Sequence, residues 1–160
     1  MMRFLAATLA AGSLLLASPA APAADTPPDE ARRIAEKVTT AGAALFDAHD
    51  ARAMGATYDE KALLTLFEKE DGVLTRQSHE GRAKIESLYA KVFENPRTIK
   101  SRNTVDRARL LAPDLLAIDG TFDVNTLDPN SPKVAFHQVR QRKDGKWLVL
   151  TMEISILATD

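Results

Sequence analysis

From Thr98 to the end of the chain, apolar residues recur at about every second position; before it they recur every third or fourth. A period of two places alternate side chains on opposite faces of a strand, and a period near 3.6 marks one face of a helix. The change of period therefore restricts the chain to a helical first part and a sheet-forming second part. Strands are predicted at 98–111, 115–124, 134–143 and 146–157. The breaks between them are Ala112-Pro113-Asp114, the loop from Asn125 to Lys133, and Asp144-Gly145. Asp-Gly between two alternating runs is a strong hairpin signal.

Upstream, Ile34, Val38, Ala41, Leu45 and Ala48 form an apolar stripe, widened by Ala35, Gly42, Phe46 and His49. This predicts an amphipathic helix of about five turns. Proline beside Asp29-Glu30 suits its first turn, where a missing N–H costs nothing. Asp50 is placed to cap a short second helix reaching Tyr58. Ala62–Phe67 reads as a strand, Asp71-Gly72 as a turn and Val73-Leu74-Thr75 as a returning strand. Gly81 opens a third helix with Ile85, Leu88, Tyr89, Val92 and Phe93 on one face, and Asn95-Pro96 ends it. Helices grouped ahead of a run of strands argue for an α+β fold. The predicted architecture is three N-terminal helices packed on a strongly curved antiparallel sheet.

The first residues carry a different message. Met1-Met2-Arg3 supplies a positive charge, Phe4 to Ala17 an apolar run, and Ser18 to Ala24 a tail of small residues. This is the layout of a cleavable signal peptide, with Ala21-Pro22-Ala23 as the best-fitting recognition site and Ser18-Pro19-Ala20 as the alternative. The expected organisation is a signal peptide at 1–24, a linker at 25–29 and a single domain at 30–160, exported to a periplasm or the medium. The chain has no cysteine, so disulfides and thiolate metal sites are excluded. The formal charge of −1 gives no basic excess for nucleic acid. No second apolar run is long enough to hold the mature domain in a membrane. The three histidines, His49, His79 and His137, lack metal-ligand spacing, and no cofactor motif is present.

A two-residue turn at Asp144-Gly145 pairs Lys143 with Lys146. Counting outward pairs Gln141 with Leu148, Val139 with Leu150, His137 with Met152 and Ala135 with Ile154. Opposed residues share a face. One face then holds Val139, Leu148, Leu150, Met152 and Ile154, with His137 among them. The opposite face holds Phe136, Gln138, Arg140, Trp147 and Val149 and is wetter. A symmetric count across the long loop places Thr121 opposite His137, flanked by Asp119 and Asp123. His137 is thus either a buried, hydrogen-bonded histidine or a pocket residue, with Asp119 or Asp123 as its carboxylate.

Four segments carry a family resemblance. They are Phe46-Asp47-Ala48-His49-Asp50-Ala51, Tyr58-Asp59-Glu60-Lys61-Ala62-Leu63, Glu80-Gly81-Arg82-Ala83-Lys84-Ile85 with Leu88-Tyr89, and Lys143-Asp144-Gly145-Lys146-Trp147-Leu148-Val149. In this order they resemble the nuclear-transport-factor-2-like (NTF2-like) superfamily, and within it the SnoaL-like and DUF4440 group, over residues 30 to 157. The resemblance implies a cone: a bent sheet around three helices, with an apolar pocket inside. It also implies homodimers through the outer sheet face. Ketosteroid isomerases of the superfamily use an aspartate base with a tyrosine and a protonated aspartate as oxyanion hole. The corresponding positions here hold Leu66, Gly42 and His137, so that mechanism is not carried over.

Three functions follow as expectations. The first is binding of a small, mostly apolar molecule without a cofactor. Its pocket would use Tyr58, Tyr89, Asp123, Leu150 and Met152. The second is an isomerase, dehydratase or cyclase in which His137 acts as general acid or base with Asp119. The third is a protein-interaction module whose cone is filled by side chains.

Overall fold

The computed structural model describes residues 28–70 and 72–157. The signal peptide expected at 1–24 and residues 25–27 of the linker lie outside them. The chain runs α1 (Pro28–Asp47), α2 (Ala51–Ala56), β1 (Tyr58–Glu70), β2 (Val73–Glu80), α3 (Arg82–Val92), β3 (Arg102–Ala112), β4 (Leu115–Asp123), β5 (Lys133–Lys143) and β6 (Lys146–Leu157). No helix among the described residues is long and apolar enough to cross a membrane.

Local chemistry sets the boundaries. Pro28 occupies the first turn of α1, where its missing N–H and fixed φ are tolerated. His49, with φ 53°, is the left-handed residue that follows α1, as C-terminal caps require. The Asp50 carboxylate then accepts the Ala53 N–H at 2.8 Å and caps α2. Asp144 and Gly145, with φ 49° and 77°, give the β5–β6 hairpin the two positive-φ residues of a type I′ turn.

The six strands form one sheet in the order β2-β1-β6-β5-β4-β3. This corrects the predicted architecture in two respects. The sheet is open and not strongly curled, with β2 and β3 as its two edges. It is mixed, because β1 runs parallel to β6 while every other neighbouring pair is antiparallel. The third helix follows the β1–β2 hairpin, as the sequence order predicts. The physical reason is that helices, not a wrapped sheet, cover the apolar face, so β2 and β3 have no need to meet. The molecule is thus a two-layer α/β sandwich and not a cone.

Two apolar clusters join the layers. Ala31 and Ala35 of α1 pack on Val105, Leu116, Ile118 and Phe136. Met54, Ile85 and Tyr89 pack on Tyr58, Leu64 and Val149. Tyr58, Leu64, Ile85, Leu116, Ile118 and Val149 are all less than 2 % exposed. Burying an aliphatic or aromatic side chain of this size contributes about 1.5–3 kcal/mol. At Gly120 the neighbouring strands close tightly: a Cβ there would lie 2.6 Å from Phe136 Cζ and against the Thr104 carbonyl.

The hairpin register departs from the simple count at one place. Lys143 pairs with Lys146 and Gln141 with Leu148, as predicted. Arg140 then pairs with Val149 but Val139 with Thr151, so Leu150 is an extra residue, a β-bulge. Beyond it every partner shifts by one: His137 faces Glu153 and Ala135 faces Ser155. The assignment of faces is corrected accordingly. Phe136, Gln138, Arg140 and Val149 belong to the inner layer and are buried, while His137 lies on the outer face.

Candidate functional site

Strand β5 is regular, so Val134, Phe136, Gln138 and Arg140 project together toward the helices. The Leu150 bulge lets Met152 and Ile154 of β6 join them, since Gln138 pairs with Met152 and Phe136 with Ile154. Between this surface and the helices lies a cavity of about 120 Å³. Its roof is α1, through Thr39, Gly42, Ala43 and Phe46. A Cβ built on Gly42 would meet nothing within 4 Å, so the absent side chain is part of the open space. Met54, Thr57, Tyr58 and Tyr89 close one end. Phe46 sets its ring edge-on to Phe93 at 5.2 Å and to Phe122 at 5.0 Å, which fixes the apolar wall.

Few polar groups reach this space. The Tyr58 and Tyr89 hydroxyls share a hydrogen bond of 2.8 Å. Burial raises the pKa of both, so both stay protonated at neutral pH. Asn103 donates its amide to the Thr39 carbonyl at 2.9 Å. Arg140 is the unexpected member, 6 % exposed in a largely apolar wall. Its Nε donates to Gln138 Oε1 at 2.6 Å and its Nη1 to the Trp147 carbonyl at 3.1 Å. Among the described residues no carboxylate pairs with it. Burial draws its pKa down to about 10, and it remains a cation at neutral pH.

The residues singled out from the sequence divide into two groups. Tyr58, Tyr89 and Met152 line the cavity. His137, Asp119, Asp123 and Leu150 do not line it. The β4–β5 register sets Asp119, not Thr121, opposite His137. His137 Nδ1 donates to Asp119 Oδ1 at 2.6 Å, and Arg107 Nε donates to Asp119 Oδ2 at 3.1 Å. These bonds, the one from His137 first, hold the Asp119 carboxyl below its ordinary pKa. The group lies on the outer face, with the sheet between it and the cavity. Asp123 lies at the end of β4, 4.0 Å from Arg102. Leu150 is the bulge residue.

Gln138 and Arg140 were missed as cavity residues. The signal that could have found them is the apolar spacing in β6. Trp147 and Val149 are two apart and Met152 and Ile154 are two apart, but the step between the pairs is three. Such a step marks a bulge and keeps both pairs on one face.

No protein-family profile and no curated protein matches the chain by sequence. Solved structures do match its fold. An NTF2-like protein of unknown function from Shewanella oneidensis superposes with a TM-score of 0.62 at 15 % identity, over 81 % of this chain and 99 % of that one. The fold is NTF2-like. An NTF2-like protein with a cystatin-like fold from Novosphingobium aromaticivorans gives 0.58 at 17 % identity, over 82 % and 84 % of the two chains. A putative calcium/calmodulin-dependent protein kinase II association domain from Xanthomonas campestris gives 0.59 at 20 % identity, over 92 % and 100 %. At these identities the likeness concerns the NTF2-like fold alone, and function rests on the site.

Proposed function

We propose that the mature domain binds a small, mostly apolar molecule in the cavity between its helices and sheet, and that it acts without proton-transfer chemistry. The supporting observation is the composition of the wall. Apolar side chains predominate, with a few convergent polar groups, which is the usual make-up of a small-molecule site. Among its described lining residues none is a carboxylate or an imidazole. The His137–Asp119 pair, which the enzyme reading would use, stands on the other side of the sheet. A general acid or base must come within hydrogen-bond reach of the bound molecule.

The finer placement in the SnoaL-like and DUF4440 group, and export through the N-terminal signal, belong to the same proposal. They rest on the four sequence motifs and on the charge, apolar run and small-residue tail of residues 1–24. N-terminal sequencing of the mature protein should begin at or next to Ala24; an intact Met1 would refute export by cleavage.

The binding proposal is tested with a neutral probe. Engineered apolar cavities of about 150 Å³ accept benzene, so a smaller amide, butyramide, suits a cavity of about 120 Å³. Titration followed by NMR should shift resonances of Phe46, Tyr89 and Met152. Gly42→Leu, which directs a side chain into open space, should abolish the shifts while preserving the fold. His137→Gln should leave them unchanged. Absence of binding by the wild type, or binding that survives Gly42→Leu, would overturn the proposal.

A further inference from the structure

We infer that the molecule held in this cavity carries a carboxylate, and that Arg140 is the residue that recognises it. This rests on the binding reading above and names the chemical class of the ligand. The geometry begins with Arg140, a residue only 6 % exposed that lines the cavity and has no acidic partner among the described residues. A buried cation is normally paired or neutralised. A guanidinium has five N–H donors and cannot readily lose its proton. Two of these donors are used, by Gln138 and by the Trp147 carbonyl. The second amino group, Nη2, makes no hydrogen bond within the described residues.

The two internal bonds hold the fork in place. Gln138 Oε1 is itself 2 % exposed as part of its residue and grips Nε, while the β6 backbone grips Nη1. The side chain is therefore positioned before any ligand arrives, which reduces the ordering that binding requires. Around it, the protonated Tyr58–Tyr89 pair supplies a hydroxyl on the same cavity wall, and that wall has no anion to compete.

Three features select a carboxylate among anions. The planar fork of arginine matches the planar carboxylate. A single buried cation balances a monoanion, whereas a phosphate dianion calls for a second positive group, and the described lining residues include no other cation. The cavity of about 120 Å³ is smaller than the roughly 150 Å³ that holds benzene, so it suits a short-chain acid of about butyrate size.

The experiment compares butyrate with butyramide, which have nearly the same shape and differ in charge. Isothermal titration of the mature domain at neutral pH should show butyrate binding about 10-fold tighter or more, the range for a hydrogen bond to a charged group. Arg140→Met should remove the preference. Equal binding of both probes by the wild type would overturn the carboxylate assignment while leaving the cavity as a binding site. A preference that survives Arg140→Met would place the anion elsewhere and also overturn it. Failure of both probes to bind would overturn the binding reading itself. The wild-type comparison stands alone if the variant does not fold.

Discussion

A buried cation with no carboxylate partner lowers the stability of the fold that holds it, and the size of that effect at Arg140 can be worked out. Burial draws the Arg140 pKa down to about 10. Compared with an ordinary guanidinium above about 12, at about 1.4 kcal/mol per pH unit, this is a penalty of about 3 kcal/mol. Arg140 is 6 % exposed, so solvent screening reduces the figure little. The sign is unambiguous. The folded value lies below the unfolded one, so the unfolded chain binds the proton more tightly and the whole penalty is present at neutral pH. It is relieved only as pH rises above about 10. The perturbation is Gln138→Leu together with Arg140→Met. It removes the cation and the amide that serves it, and it forfeits two hydrogen bonds from a charged donor, worth about 1.5–3 kcal/mol each. The relieved penalty and the added apolar burial offset that loss, and the double variant should be as stable as the wild type to within about 1 kcal/mol, as when buried polar groups are replaced by apolar ones. Arg140→Met alone should be about 1–3 kcal/mol less stable than the double variant, because it orphans the Gln138 carbonyl. Urea unfolding of residues 28–157 at neutral pH measures both, with an unchanged slope confirming that stability alone has moved. A double variant 1 kcal/mol or more less stable than the wild type would refute the reasoning, since the cation would then be satisfied inside the fold.

Other perturbations follow from the same coordinates. Gly120→Ala should destabilise by about 2–4 kcal/mol in urea melts, above the usual range for overpacking because a backbone carbonyl cannot move aside. Phe136→Leu should recover only part of that loss. Asp59 accepts from Lys143 Nζ at 2.5 Å, which holds its carboxyl below the ordinary pKa. Its contribution is complete above about pH 4 and is lost as pH falls through the lowered folded value. Lys143→Met should therefore cost about 1 kcal/mol or less at neutral pH, and the gap from the wild type should narrow below about pH 4. Asp50→Ala removes the cap of α2 and should cost about 1 kcal/mol, read by thermal unfolding.

Most elements were legible because each carries a local signal. The α1 stripe, the Asp50 cap, the Asp144-Gly145 turn and the alternation of β4 to β6 act over a few residues. The β1 pairing was not legible, because a parallel contact with β6 joins segments about 90 residues apart and leaves no pattern in either. Nor was the openness of the sheet. Strand periodicity states which side chains share a face, and says nothing about how far the sheet bends. At the site, Tyr58, Tyr89 and Met152 could be placed from their elements, whereas Arg140 could not. A strand arginine is ordinarily solvated, and a hairpin count that overlooks the extra residue in β6 puts Arg140 on the wetter face. The same oversight put His137 among the apolar residues of β6, so the histidine was matched to the correct carboxylate strand on the wrong side.

The Leu150 bulge has a consequence for how such a cavity can change. Substitutions alter a lining one side chain at a time. Removing a single residue from β6 would exchange the whole set after it, turning Met152 and Ile154 outward and their neighbours inward, while β5 kept Arg140 in place. An insertion or deletion at this point is therefore a large step in ligand shape taken with the anchoring charge held constant. Relatives that differ by one residue here would present different cavities behind the same arginine.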